Sequence, residues 1–211
     1  LLYSVKLSLV ITMDKIVKKR RGGPRTFDRD QAVDTAMRLF WRHGYEGVSL
    51  NDLTAAIGIA PPSLYSAFGS KAGLYREALD RYTGLPRAVS NLGQPASLCE
   101  AVETLLERAI DAVTAPEGER GCMISGGMIQ CSEDHADLAR ELAERRGLMR
   151  DTIALKLERW LNRDRAASLS RYLVTVLQGL SIQACDGASR EDLRQIAGEV
   201  VAGIRARDLL N

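Results

Sequence analysis

Apolar residues recur at three- and four-residue spacing from Asp28 onward, a periodicity that predicts helices rather than strands. Val33, Ala36, Met37 and Phe40, flanked by Ala32 and Leu39, form the first stripe, and Gly44 stops it. Ser49, Leu50, Asn51 and Asp52 then have the form of a capping box, with an Asp where Glu or Gln is usual. They open a short helix with Leu53, Ala56 and Ile57 on its inner side, ended by Gly58. Pro61 and Pro62 open a third helix over 61–67, because a first helical turn needs no backbone donors there. In it Leu64 and Phe68 face inward, leaving Ser63, Tyr65 and Ser66 outward. A fourth helix over 70–82 turns Leu74, Ala78 and Leu79 inward and ends at Gly84.

Two Gly and two Pro in 84–95 mark a boundary. Beyond it the pattern predicts a helix over 97–114, a loop PEGERG, and the glycine-containing segment CMISGGMIQC. A long helix over 133–161 follows, striped by Leu138, Leu142, Met149, Ile153, Leu157 and Trp160. Two strong stripes close the chain: Leu169, Leu173, Val176 and Leu180, then Leu193, Ile196, Ala197, Val200 and Ile204. The linker DGAS separates them, with Ser189 as N-cap of the last helix. No repeat and no strand pattern interrupts this. The expected fold is all-α.

Composition supports that class. Hydrophobic residues are 45% and charged residues 27% of 211, ordinary for a globular chain, and 5% aromatic content favours helix over sheet. No apolar run approaches the roughly 18 residues of a membrane span, so no membrane partner is expected. Residues 1–12, LLYSVKLSLVIT, carry one Lys and no small-residue cleavage site, and a basic run follows; this is not the pattern of a signal peptide. They are read as an upstream extension and left out of the fold. Cys99, Cys122, Cys131 and Cys185 form no CxxC pair, which points to reduced thiols in a cytoplasm.

The net charge of +2 hides an asymmetry. Up to Tyr82 there are 13 Lys and Arg against 8 Asp and Glu; the remainder has 16 against 19. The excess sits in Lys15, Lys18, Lys19, Arg20, Arg21 and Arg25, a basic arm over 1–26 ahead of the first helix. Such an arm suits a polyanion, nucleic acid before membrane. Two short helices joined by a tight turn, within 48–67, form a helix-turn-helix, whose second helix fits a major groove about 12 Å wide. A generic helical hairpin in a bundle is the alternative reading of that spacing.

The run AMRLFWRHGYEGVSLNDLTAAIGIAPPSLYSAFGSKAGLYREALDRY resembles the DNA-binding domain of TetR/AcrR-family transcriptional regulators. Ala36, Leu39, Phe40, Gly44-Tyr45, Ser49, Ile57-Gly58-Ile59, Ser63-Leu64-Tyr65, Phe68, Ser70-Lys71 and Leu74 carry the likeness in order. RGCMISGG and LQGLSIQACDGASREDL resemble features of the family's regulatory domain. The resemblance implies a homodimeric one-component repressor: a DNA-binding domain over 27–86, and a helical ligand-binding and dimerisation domain over 87–211. It implies a double-stranded DNA operator and a small-molecule effector as partners, and no cofactor. It places Tyr65 and Lys71 at phosphates, Ser49 where its hydroxyl and nearby amides meet a phosphate, and Pro61, Pro62 and Ser63 on the base-reading face. Arg25 joins the DNA-binding set from the arm. Two prolines depart from the family pattern, leaving apolar contact with a thymine methyl and Ser63 as the hydrogen-bonding reader. Ala60 departs too, where the family often has a Ser or similar cap.

Residues Cys122, Met123, Met128, Arg146 and Met149 are the expected effector pocket: soft side chains lining an adaptable cavity, with Arg146 inside the stripe either meeting an anionic effector or reaching solvent or a nearby Glu. Cys131 and His135, with Cys122, could share a metal, but no further ligand lies at motif spacing, and none is expected. A thiol trigger at Cys122 or Cys131 is the alternative switch. Trp41 and Trp160 read as packing residues. Two His residues, no Ser-His-Asp ordering and no phosphate-cradling Gly loop argue against an enzyme. A helical protein-interaction module without DNA specificity is the alternative of another class. Residues 169–184 and 190–204 are expected to pack against a second copy, with Val176 and Val200 at the contact; the alternative is that both stripes are consumed by this chain's own core.

Overall fold

The computed structural model describes residues 27–84, 93–129 and 131–208, and among these every regular element is helical. Asp28 opens α1 (Arg29–His43), its carboxylate accepting the Gln31 amide at 3.1 Å. Gly44, at φ 71°, ends it in backbone geometry that a side chain would strain. Helices α2 (Leu50–Ile57) and α3 (Pro61–Phe68) follow, separated by Gly58 in the left-handed conformation at φ 77°. Helix α4 (Lys71–Gly84) lies along α1, and only Gly69 and Ser70 separate it from the end of α3. The expected bounds of all four agree within two residues. The basic arm with Arg25, and most of the 84–95 boundary, lie outside the described residues.

The second half contains α5 (Leu98–Val113), α6 (Ala136–Leu157), α7 (Arg163–Cys185) and α8 (Arg190–Asp208). Ser97 caps α5, and Ser189 with Asp192 forms a reciprocal capping box at α8. The expected long helix 133–161 is shorter. It begins with a 3₁₀ turn, Glu133–His135, and stops at Leu157, because Asn162 must cap α7 by accepting the Arg165 amide.

Two apolar cores result. One gathers α5, the C-terminal half of α6, α7 and α8, with Leu106, Ile110, Leu173 and Leu193 fully buried. Helix α8 lies on α5, so Leu193, Ala197, Val200 and Ile204 are spent on this chain's own core. Val200, expected at a contact between copies, is buried at 6% exposure; that expectation is corrected. What faces outward is a different surface, with Tyr172 and Ile182 exposed on α7 and open space beside Gly179 and Gly198.

The other core is built on Phe40, Leu53, Leu64, Leu74 and Leu79 of the first four helices. It also takes in Met123, Ile124, Met128, Leu138 and Leu142, from beyond the sequence boundary. Segment 123–128 therefore packs as part of the helix-turn-helix core. Gly127 shows how tightly: a Cβ there would lie 2.4 Å from the Met123 carbonyl oxygen and 2.5 Å from Leu142 Cδ2. Gly127→Ala is expected to cost about 1–3 kcal/mol as overpacking, read from urea unfolding by circular dichroism. A variant as stable as the parent would show that the segment is not tightly packed.

Candidate functional site

The first candidate site is the outer face of α2 and α3. Pro61, Pro62 and Tyr65 are exposed, Ser63 is half-buried, and Leu64 and Phe68 anchor the helix inward. The Ser63 hydroxyl makes no hydrogen bond to the protein among the described residues, so it is available to a partner. Ala60 caps α3 without a side-chain bond, as its identity requires, and the prolines at the first two helical positions need none. Arg29 was not foreseen in the sequence. Its guanidinium lies 4.8 Å over the Phe68 ring, pairs with Glu77 and donates to the Ala67 carbonyl, tying the end of α3 to α1 and α4.

Ser49 is corrected in part. Its hydroxyl donates to Asp52 at 2.6 Å and its amide donates to the same carboxylate at 2.8 Å, so both donors are engaged inside the capping box. Only the α2 amides ahead of Asp52 remain for a phosphate. Lys71 opens α4 with its ammonium 4.1 Å from the Tyr45 ring centroid, a cation–π seat that fixes its direction. Burial pushes its pKa down, opposed by the Glu46 and Asp52 carboxylates. Tyr45 in turn meets the His135 ring edge-on at 4.8 Å, and His135 Nε2 lies 3.7 Å from Glu46. Cys131 Sγ faces the His135 carbonyl at 3.9 Å, and no group of three His, Cys, Asp or Glu among the described residues could hold a metal ion.

The second candidate site is a cavity of about 480 Å³, open to solvent and lined by α4, α5, α6, α7 and the 122–125 segment. Ala109, Val113, Ile124, Leu148 and Leu177 make it mainly apolar. Of the expected pocket residues it contains Cys122 and Met149. Met123 and Met128 are corrected: both are buried in the helix-turn-helix core instead. Arg146 is corrected as well. It donates to the carbonyls of Ile124 and Gly127 at 3.0 and 2.9 Å, spending its charge on the turn behind the cavity. Arg145 is the cation that reaches the cavity, a residue the apolar stripe alone could not single out. Burial raises the Cys122 thiol pKa, but hydrogen bonds from Ser125, Tyr82 and the Ser125 and Ile124 amides outweigh it and hold the thiol below its ordinary value.

A helix-turn-helix with an exposed second helix, built on a helical body with its own cavity, is the architecture of a DNA-binding transcriptional regulator. The profile of bacterial regulatory proteins of the tetR family matches residues 32–78. The chain is 38% identical to the HTH-type transcriptional repressor ComR of Escherichia coli K12, over 86% of this chain and 91% of that one. It is 33% identical to the repressor BdcR of the same organism, over 87% and 93% respectively. Among solved structures it is similar to a cysteine mutant of the TetR-family regulator CifR in complex with 26-base-pair double-strand operator DNA. There the identity is 37% and the TM-score 0.77, with 86% of this chain and 98% of that one covered. The chain belongs to the TetR family, and is a DNA-binding regulator rather than an enzyme. No helix among the described residues is long and apolar enough to cross a membrane.

The capping box generates a test with a pH readout. Hydrogen bonds from the Ser49 side chain and backbone hold the Asp52 carboxyl below the ordinary aspartate range. A depressed folded pKa means the stabilisation is present above the unfolded pKa and lost as pH falls through the folded one. In Ser49→Ala, carboxyl NMR titration should find Asp52 returned toward its ordinary value, with the start of α2 destabilised by about 1 kcal/mol. An unchanged Asp52 titration would show that the box is not formed in solution.

Proposed function

We propose that this chain is a repressor that holds its operator as a homodimer and is released when a small, largely apolar molecule fills the cavity. One observation carries the reading: Tyr82 and Thr83 of α4, the last helix of the DNA-binding part, form part of the cavity wall. A ligand there touches DNA-binding and regulatory helices at once, and coupling of about 1–3 kcal/mol would change operator affinity about 5–150-fold. The repressor sense is supported by the names of ComR and BdcR, and a duplex operator by the DNA in the CifR complex. The working division is an arm over 1–26, a DNA-binding domain over 27–86 and a regulatory domain over 87–211, acting in the cytoplasm. Operator binding by fluorescence anisotropy against a compound library tests the release. No change with any compound would remove the support for an effector.

On DNA, Ser63, Pro61 and Pro62 read bases, while Tyr65, Lys71, Arg25 and the first α2 amides grip phosphates. Lys71→Ala should weaken all duplexes alike and flatten the log-affinity against log-salt slope by about 0.9. Ser63→Ala should instead change preference at one base step by about 1–3 kcal/mol. A Ser63→Ala protein selecting the same site from random duplexes would remove Ser63 from the readers.

The second copy packs on the outward face of α7 and α8, where Ile182 is exposed and Gly198 leaves open space. A two-fold axis there would set the recognition helices about 34–36 Å apart. Ile182→Glu should give a folded monomer with lost operator binding, measured by sedimentation and anisotropy. A wild-type chain that sediments as a monomer at micromolar concentration would defeat the dimer.

The depressed Cys122 thiol in the cavity wall favours one second reading, release by thiol modification. An oxidant series on Cys122→Ser and Cys131→Ser decides it. Release that disappears in a Ser variant, with no compound active, would make the thiol the trigger.

A further inference from the structure

Two ion pairs tie α4 to α6, one helical turn apart on each. Arg76 donates to both oxygens of Glu141 at 2.6 to 2.9 Å, and one turn on Asp80 accepts from Arg145 at 2.5 Å. The polarity alternates: the cation is on α4 in the first pair and on α6 in the second. Among the described residues, Arg145 is the only member of either pair that lines the cavity, and the only charged residue that does.

The two partners of the second pair stand in different surroundings. The Asp80 side chain is 67% exposed, whereas Arg145 is 25% exposed and borders an apolar chamber. Asp80 can therefore be released to water at small cost, while Arg145 cannot lose an anion without leaving a part-buried charge unpaired. A ligand with an apolar body and a single carboxylate matches this arrangement. Its body can lie against Val113, Ile124, Leu148, Met149 and Leu177, and its carboxylate can take the bidentate geometry that guanidinium favours. An amine of equal length would meet Arg145 with like charge, and an alcohol would leave Asp80 in place.

Resting on the reading of the cavity as the effector site, we propose that the effectors are amphipathic monocarboxylic acids whose carboxylate replaces Asp80 on Arg145. The exchange cuts the second tie and frees the C-terminal half of α4 from α6. Arg76 and Glu141 still hold the N-terminal half, so α4 turns about the remaining pair and carries the helix-turn-helix with it.

Calorimetric titration of the full chain with octanoate and with 1-octanol tests the proposal, alongside operator anisotropy with the same two probes. Octanoate is expected to bind at least about tenfold more tightly than octanol and to lower operator affinity. Arg145→Gln should abolish the difference while keeping octanol binding. Asp80→Asn, a change at an exposed position, should tighten octanoate binding by removing its competitor. Equal binding of the two probes by the parent chain overturns the carboxylate proposal and leaves the cavity reading standing. Binding of neither overturns both. Octanoate binding that Asp80→Asn does not tighten overturns the exchange.

Discussion

The burial of two tyrosines on α4 is the constraint from which the relation between the two halves follows. Tyr75 and Tyr82 are each 1% exposed, so neither can be withdrawn without opening a large hole. Tyr82 does more than fill space: its hydroxyl accepts the Met123 amide at 3.2 Å, and its ring meets Trp41 edge-on at 4.8 Å. Trp41 then donates from Nε1 to the Gly121 carbonyl at 3.1 Å. The segment 121–128 has little regular structure of its own, so its polar backbone has to find partners among these side chains. It is thereby fixed to α1 and α4 as well as to the helices that flank it in sequence, through the Val113 carbonyl of α5 and the Arg146 guanidinium of α6. The cavity lies directly behind this joint, with Tyr82 in its wall.

Around the buried joint lie ion pairs of another kind. Arg42 with Glu119, Arg76 with Glu141 and Asp80 with Arg145 all cross between the halves, and each leaves at least one partner well exposed. Exposed pairs add little net stability, since water competes for both charges. Their use is directional. The apolar joint sets how closely α4 approaches the second half, and the peripheral pairs set its angle at small cost. A molecule that competes for one charge can alter that angle without unpacking the core, which is what a switch requires.

The helix-turn-helix was legible in the sequence because its signals are local. The Ser49 and Asp52 box, the glycines at 44 and 58 and the prolines opening α3 each act within a few residues, and all are found as expected. The pocket was legible only in part because its residues are chosen by tertiary packing. Met123 and Met128 have the same soft, apolar character as Met149, and no periodicity distinguishes the side that meets α4 from the side that meets the cavity. Arg145 and Arg146 are neighbours in sequence, yet a step of about 100° around α6 sends one to the cavity and the other to the 124–127 carbonyls. Val200 was misplaced for a related reason: a stripe shows that a face is buried, and not against what.

The prolines of α3 have a consequence for how the protein grips DNA. A helix N-terminus ordinarily presents free amides to a phosphate. Here the first two helical positions have no N–H at all, and the Ser63 amide is taken by the Ala60 carbonyl at 2.9 Å. The start of α2 keeps amide donors ahead of Asp52, beside a carboxylate already engaged by Ser49. In the proposed DNA complex, phosphate binding therefore rests less on backbone dipoles than on full charges and hydroxyls at the edges of the helix-turn-helix. Lys71, proposed as one of those charges, has its ammonium fixed over the Tyr45 ring. The face of α3 is left with two rigid apolar rings and one hydroxyl, a surface suited to recognising a thymine methyl and the shape of the groove more than a pattern of donors.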